Sequence, residues 1–332
     1  MDLIIGILLA GFLGVVPMAI YAVVITWFDR YEKEPLWLML AVFAWGAVVA
    51  AGSAFILNTL FGISVFAVTG SETAANVGAA VISAPIVEES VKGAAVLAVY
   101  LYFRDEFDSP LDGIIYGRFF GFVLASTENV NYIFSGLSEG GLATALLVTV
   151  VRTVGIAFLH ASLTACTGLG FAGLRLGRSA LRFAAPLAGY GAAVLLHSFH
   201  NLMASLGELF CLFGLALDWI GFLGLFAFIL YLVWREGRVM RDHLREEVTL
   251  GVIAPQHYAT ACSLTGQFAA RWGALAGGQW RRSGQFYDLL GELAFKKYQL
   301  ARRGAHKEPN APAAIARLRA QVADLARGGV SV

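Results

Sequence analysis

The chain has 332 residues, 58% of them hydrophobic and 14% charged, where soluble domains average roughly 45–50% apolar and 25% charged. That gap excludes an ordinary soluble domain and puts the chain in the membrane class. The net charge is only +1, but residues 1–235 hold 10 Lys/Arg against 15 Asp/Glu while residues 236–332 hold 14 against 8, so a weakly acidic membrane body (1–235) is followed by a basic tail (236–332). The three cysteines, Cys166, Cys211 and Cys262, are far apart without metal spacing and read as small packing residues.

A membrane-spanning helix needs about 20 mostly apolar residues. Seven runs qualify, at 3–27, 36–60, 76–103, 111–135, 150–173, 184–206 and 210–234. The first lacks a basic leader and exceeds the usual apolar core of about 7–15 residues in a secretory signal, so it reads as a span. The boundary near Gly207–Glu208 is soft, and Asp218 interrupts the last run. Arg30 and Lys33, Arg104 and Arg118, Arg175, Arg178 and Arg182, and Arg235, Arg238, Arg241 and Arg245 fall at alternate ends of the runs. Cytoplasmic loops carry the Lys/Arg excess. The expected architecture is therefore an all-α, polytopic helix bundle of about seven spans in the cell membrane, N-terminus out and C-terminus in.

The tail reads as helical and cytosolic. Segment 285–303 has Phe286, Leu289, Leu290, Leu293, Phe295 and Tyr298 at helical spacing, opposite Asp288, Glu292, Lys296, Lys297, Arg302 and Arg303. Such a basic amphipathic helix either lies on an anionic leaflet or packs on a neighbouring helix. A short helix follows Pro309 and Pro312.

Ionisable groups at bilayer depth cost several kcal/mol and persist when paired, ion-bound or facing a cavity. The third run holds Glu88, Glu89 and Lys92; the lysine lies at i+4 and i+3 from the two acids and can pair with either. The fourth holds Glu128, Asn129 and Tyr132, after Gly117 and Gly121 spaced for close helix contact. The fifth holds Arg152 and His160; the sixth holds His197 with Asn201 one turn on, and His200 pointing elsewhere. If Arg152 marks the outer interface and 140–151 lie along it, Glu88, Glu128, His160 and His197 share a depth of roughly 12–18 Å at 1.5 Å per residue. One chamber in the outer half of the membrane is then expected.

This set suits activated water. A buried carboxylate can take its proton, a zinc ion held by Glu and His ligands can acidify it, and Asn201, a histidine or a metal can steady an oxyanion. Glu88, Glu89, His160, His197 and Asn201 are the expected catalytic groups, with Lys92, Asn129, Tyr132 and Arg152 supporting. The spacing is not His-Glu-x-x-His, so metal and metal-free mechanisms both stay open.

Glu88-Glu89-x-x-Lys92, Gly121-Phe122 with Glu128-Asn129-x-x-Tyr132, His160 followed by Gly168, His197-x-x-x-Asn201, and Phe28-Asp29-Arg30-Tyr31-Glu32-Lys33-Glu34-Pro35 resemble the PrsW family of intramembrane proteases over about residues 15–205. The resemblance implies distant kinship with the CAAX-prenyl endopeptidases. It also implies a metallopeptidase classification, catalytic roles for Glu88 and Glu89 with His160 and His197, Glu128 as a further catalytic carboxylate or a metal ligand alongside His160 and His197, and site-1 cleavage of a single-pass membrane substrate such as an anti-sigma factor. The expected partners are that substrate and the bilayer, with no nucleic acid. An ion-coupled carrier and a non-catalytic scaffold are the alternatives, although no internal repeat of the kind carriers show is visible.

Overall fold

The computed structural model describes residues 3–26, 51–103, 107, 109–263, 265–275, 277–306 and 308–330. The segment Phe28–Pro35, Arg104 and the first part of the second run lie outside them. Every regular element among the described residues is helical. Five segments are long and apolar enough to cross a membrane: Leu3–Ile25, Gly52–Thr69, Pro110–Leu176, Ala180–Ser205 and Glu208–Thr249. The chain divides into two compact units, one reaching Phe228 and the other beginning at Ile229.

In the first unit, α1 is Leu3–Thr26 and α2 is Ala51–Thr69. The second run was expected to end at residue 60. It continues to Thr69 because nothing breaks the helix before Gly70, whose φ of 64° favours glycine. Next, α3 (Glu72–Gly78), a π-helical turn (Ala79–Ser83) and α4 (Ala84–Tyr102) follow one another with right-handed helical backbone at each junction. Pro85 has no N–H to donate and sits in the first turn of α4, just after the π-helical turn, a common way for a helix to absorb such a residue. The rod is long enough to span, but Glu88, Glu89 and Lys92 make it less apolar than the five segments above.

Helix α5 (Pro110–Val150) opens on a capping box between Ser109 and Asp112. It reverses at Gly141, whose φ is 71°. The chain returns through a π-helical turn (Val151–Gly155) into α6 (Ala157–Leu176). The two limbs run antiparallel, as the glycine contacts record. A Cβ at Gly113 would overlap the Gly168 backbone, one at Gly117 the Thr164 carbonyl, one at Gly121 the Ala161 backbone, and one at Gly136 would press on Val148. Small residues four apart let the helix backbones approach closely. Ala10 of α1 is buried with Ile133 and Ala145 from the two limbs.

This hairpin corrects one expectation. Residues 140–151 do not lie along the interface: beyond Gly141 they return as helix, and Arg152 sits beside Glu128 and Asn129. Residue counting from Arg152 therefore gives no depth for His160. Gly141 supplies the left-handed turn, and Leu142–Val151 is apolar enough to pack back on the outgoing limb.

After a 3-10 turn (Ala180–Ala184) come α7 (Ala185–Ser205) and α8 (Glu208–Thr249), separated at Gly207 with φ 111°. Asp218 does not interrupt α8. The second unit takes the remainder of α8 with α9 (Pro255–Ala261), α10 (Gly266–Gly273), α11 (Trp280–Arg303) and α12 (Ala311–Arg327). Phe286, Tyr287, Leu290, Leu293 and Ala294 of α11 are fully buried, as are Met240 and Leu244 of α8 and Val322 of α12. The apolar stripe of α11 is therefore spent on packing between helices and is not offered to a leaflet.

Candidate active site

Helix α4 presents Glu88, Glu89 and Lys92 on one stretch; α5 contributes Glu128, α6 His160 and α7 His197. All but Glu128 are buried, and the Glu128 side chain is about one-fifth exposed. Lys92 Nζ donates to Glu89 Oε1 at 2.6 Å and lies 3.8 Å from Glu88 Oε2. It also lies 3.2 Å from His160 Nδ1. An ammonium can only donate. The hydrogen-bond network thus assigns Nδ1 as acceptor and puts the proton of the neutral His160 ring on Nε2. That nitrogen faces Glu128 Oε2 at 3.1 Å.

The second imidazole is held in a matching way. His197 Nδ1 faces Glu89 Oε1 at 3.1 Å. With the proton on Nδ1, the Nε2 lone pair points toward Glu88 Oε2, 4.0 Å away. The two rings are 5.0 Å apart and nearly perpendicular. Thr164, one turn after His160 and fully buried, donates to the His160 carbonyl at 3.0 Å and approaches Glu89 Oε2 at 3.4 Å. Thr164 was not among the sequence candidates; it lies one turn from His160, a spacing too common on helices to single it out.

Not every candidate converges on this point. Asn201 donates from Nδ2 to the Ala80 carbonyl at 2.7 Å, so it ties α7 to the π-helical turn ahead of α4. A π-helical turn shifts the backbone ladder, and this bond occupies one of its carbonyls. Ser83 of the same turn donates to Asn58 on α2 at 2.7 Å. His200 pairs with Asp218 of α8 at 2.6 Å, apart from the cluster. Arg152 binds Glu128 and Asn129 and lies 4.3 Å over the Tyr132 ring.

The donor set suits a metal. Glu88, His160 and His197 each offer one donor atom, all within 4.8 Å of one another. Donors around tetrahedral zinc lie about 3.4 Å apart given bonds of about 2.0–2.1 Å, so side-chain shifts of about 1 Å close the set. Two buried carboxylate oxygens, Glu88 Oε2 and Glu128 Oε1, find no N–H or O–H donor around them, and the two carboxyl groups lie close enough to hydrogen-bond when one is protonated. Ionised, the two carboxylates can only accept, so beside an imidazole lone pair they attract either a shared proton or a metal cation. Two histidines and one carboxylate match a common catalytic zinc donor set.

The model of the PrsW family intramembrane metalloprotease matches residues 34–234, a stretch that contains every residue of this cluster. The chain belongs to the PrsW family. Similar proteins include Protease PrsW of Geobacillus kaustophilus (strain HTA426), 34% identical over 119 residues, which are 36% of this chain and 49% of the relative. Protease PrsW of Clostridioides difficile (strain 630) is 36% identical over 123 residues, 37% of this chain and 50% of the relative. The chain thus spans about half the length of these curated relatives. No solved structure matches it. Membership in the PrsW family and the apolar helices agree on a multi-pass membrane protein.

Proposed function

We propose that this PrsW-family chain hydrolyses a peptide bond of a membrane-anchored protein at the cluster of Glu88, Glu128, His160 and His197. The observation that carries the reading is the convergence of three buried side chains from three helices, Glu88, His160 and His197, each offering a donor atom within 4.8 Å of the other two. Glu88, His160 and His197 would hold the metal, His160 through Nδ1 with Lys92 Nζ turned wholly to the glutamates, since Nδ1 carries the ring's one lone pair and faces Lys92 at 3.2 Å. When bound, a zinc ion there would acidify water and polarise the scissile carbonyl. Glu89 acts through His197: its Oε1 receives the Nδ1 proton, fixing ring orientation and tautomer as outer carboxylates do in metal sites. Lys92 balances the buried charge of Glu89. Glu128 Oε1, free of partners, is the carboxylate oxygen available to take a proton from water. Asn201 sets α7 in register with α4.

The substrate class is a single-pass membrane protein, of which an anti-sigma factor is the kind the family resemblance implies. The Lys/Arg pattern supports an N-out, C-in chain with a cytosolic tail at 236–332. The test is cleavage of single-span fusion substrates by the purified chain in zinc-supplemented liposomes. Wild type should cut and E88Q, which removes one of three metal ligands, should not, with E88Q still folded and membrane-inserted. Cleavage by E88Q at the wild-type rate sinks the reading, and ion-dependent uptake without cleavage would establish a carrier instead.

A further inference from the structure

The cluster contains two chains of contact with the same order. In one, the cation Lys92 binds Glu89 at 2.6 Å and Glu89 meets His197 at 3.1 Å. In the other, the cation Arg152 binds Glu128 at 2.8 Å and Glu128 meets His160 at 3.1 Å. Lys92 belongs to the paired-glutamate motif. Arg152 comes from a different part of the chain, 24 residues beyond Glu128, and reaches it only because the hairpin folds back at Gly141.

Several features make the second cation more than a neutraliser. Arg152 spans two adjacent residues of the facing limb: Nε donates to Asn129 Oδ1 and Nη2 to Glu128 Oε2, each at 2.8 Å. A guanidinium fork on two acceptors fixes direction as well as charge. The Tyr132 ring, 4.3 Å from the guanidinium carbon, covers its face. The side chain rises from the π-helical turn Val151–Gly155, and that turn is braced from two sides. Tyr21 of α1 donates to the Thr153 carbonyl at 3.0 Å, and Trp219 of α8 donates to the Gly155 carbonyl at 2.9 Å. Glu128 thus has one oxygen held by Arg152 and His160 while the other, Oε1, is left without a partner inside the site.

We propose that Arg152 is a positioning residue for the metal site, acting on His160 through Glu128 as Lys92 acts on His197 through Glu89. The proposal rests on the metal-site reading above. It assigns the π-helical turn a purpose: to deliver a guanidinium to Glu128 at the level of the two imidazoles.

The test is a zinc titration of the full chain in detergent micelles against a competing zinc dye, with cleavage measured on the same samples. R152Q should bind zinc about 10–100-fold more weakly, the usual effect of losing an outer partner of a metal ligand. R152K should recover part of that loss, since an ammonium restores the charge but cannot bridge Asn129 and Glu128. On an E128Q background, R152Q should add no further loss, because its partner is already gone. R152Q affinity within twofold of wild type overturns the proposal, as does a double variant whose losses multiply. If R152Q fails to fold by thermal melting, R152K carries the test: a drop of at least threefold is expected, and unchanged affinity overturns the role. Wild-type chain that binds no zinc overturns the metal reading and this inference together, whereas wild-type binding with indifferent Arg152 variants overturns only the inference.

Discussion

Two glutamates among the described residues are completely buried, one in each unit, and their surroundings differ in kind. In the second unit, Glu247 Oε1 accepts from Lys297 Nζ at 2.7 Å and from Arg319 Nη2 at 2.8 Å, and its Oε2 accepts from Arg319 Nε at 2.7 Å. Both oxygens are satisfied, and the three residues pin α8, α11 and α12 together. In the first unit, Glu89 is equally buried and well bonded. Its neighbours are not: Glu88 Oε2 and Glu128 Oε1 have no donor. A leftover buried acceptor costs about 1–3 kcal/mol, more when charged. Two such acceptors beside two imidazoles are what the metal-site proposal above requires. The contrast is between buried charge that is fully paired and buried charge that keeps spare acceptor capacity.

The largest expected effect sharpens that contrast. H197A should cut zinc affinity by more than the roughly 10–100-fold that loss of an outer partner costs, with little change in the melting of the second unit. Dye-competition titration and thermal melting on one sample check this, and equal affinity would break the distinction. The converse variant is E247A. It should destabilise the second unit by about 1–3 kcal/mol, because three charge-assisted hydrogen bonds go while Lys297 keeps Glu246 as a partner, and leave zinc affinity unchanged. Denaturant unfolding followed by tryptophan fluorescence reports it. G121A should cost about 1–3 kcal/mol, since its Cβ meets the Ala161 backbone rather than a flexible side chain. Because Ala161 adjoins His160, zinc affinity should fall with stability, which a distant packing variant would not show. T164V is the mildest, about 0.5–1.5 kcal/mol for one hydrogen-bonding group, with its effect on zinc passing only through Glu89 and His160.

Much of this was legible in the residues. The apolar runs announced a helical membrane protein because the bilayer forces backbone groups to pair within each segment. Glu88, Glu89, His160 and His197 stood out because ionisable groups are rare at that depth. Thr164 and the Asn201–Ala80 bond were not legible, because a threonine or an asparagine on a helix has many uses and only its neighbours select one. Arg152 was visible, yet its position misled: an arginine near the start of an apolar run normally marks an interface, and here it follows a returning limb.

The sequence by itself determined which stretches are helical, which residues are too polar for their surroundings, and which family the pattern resembles; periodicity and burial cost are local properties. Only the tertiary structure decided which acid faces which imidazole. That depends on Gly141 turning the chain back, on Gly113, Gly117 and Gly121 letting two backbones close together, and on the π-helical turns that rotate Glu88 and Arg152 into place. Hydrogen bonds form over about 3 Å, and no spacing along a chain sets a distance that short between four helices.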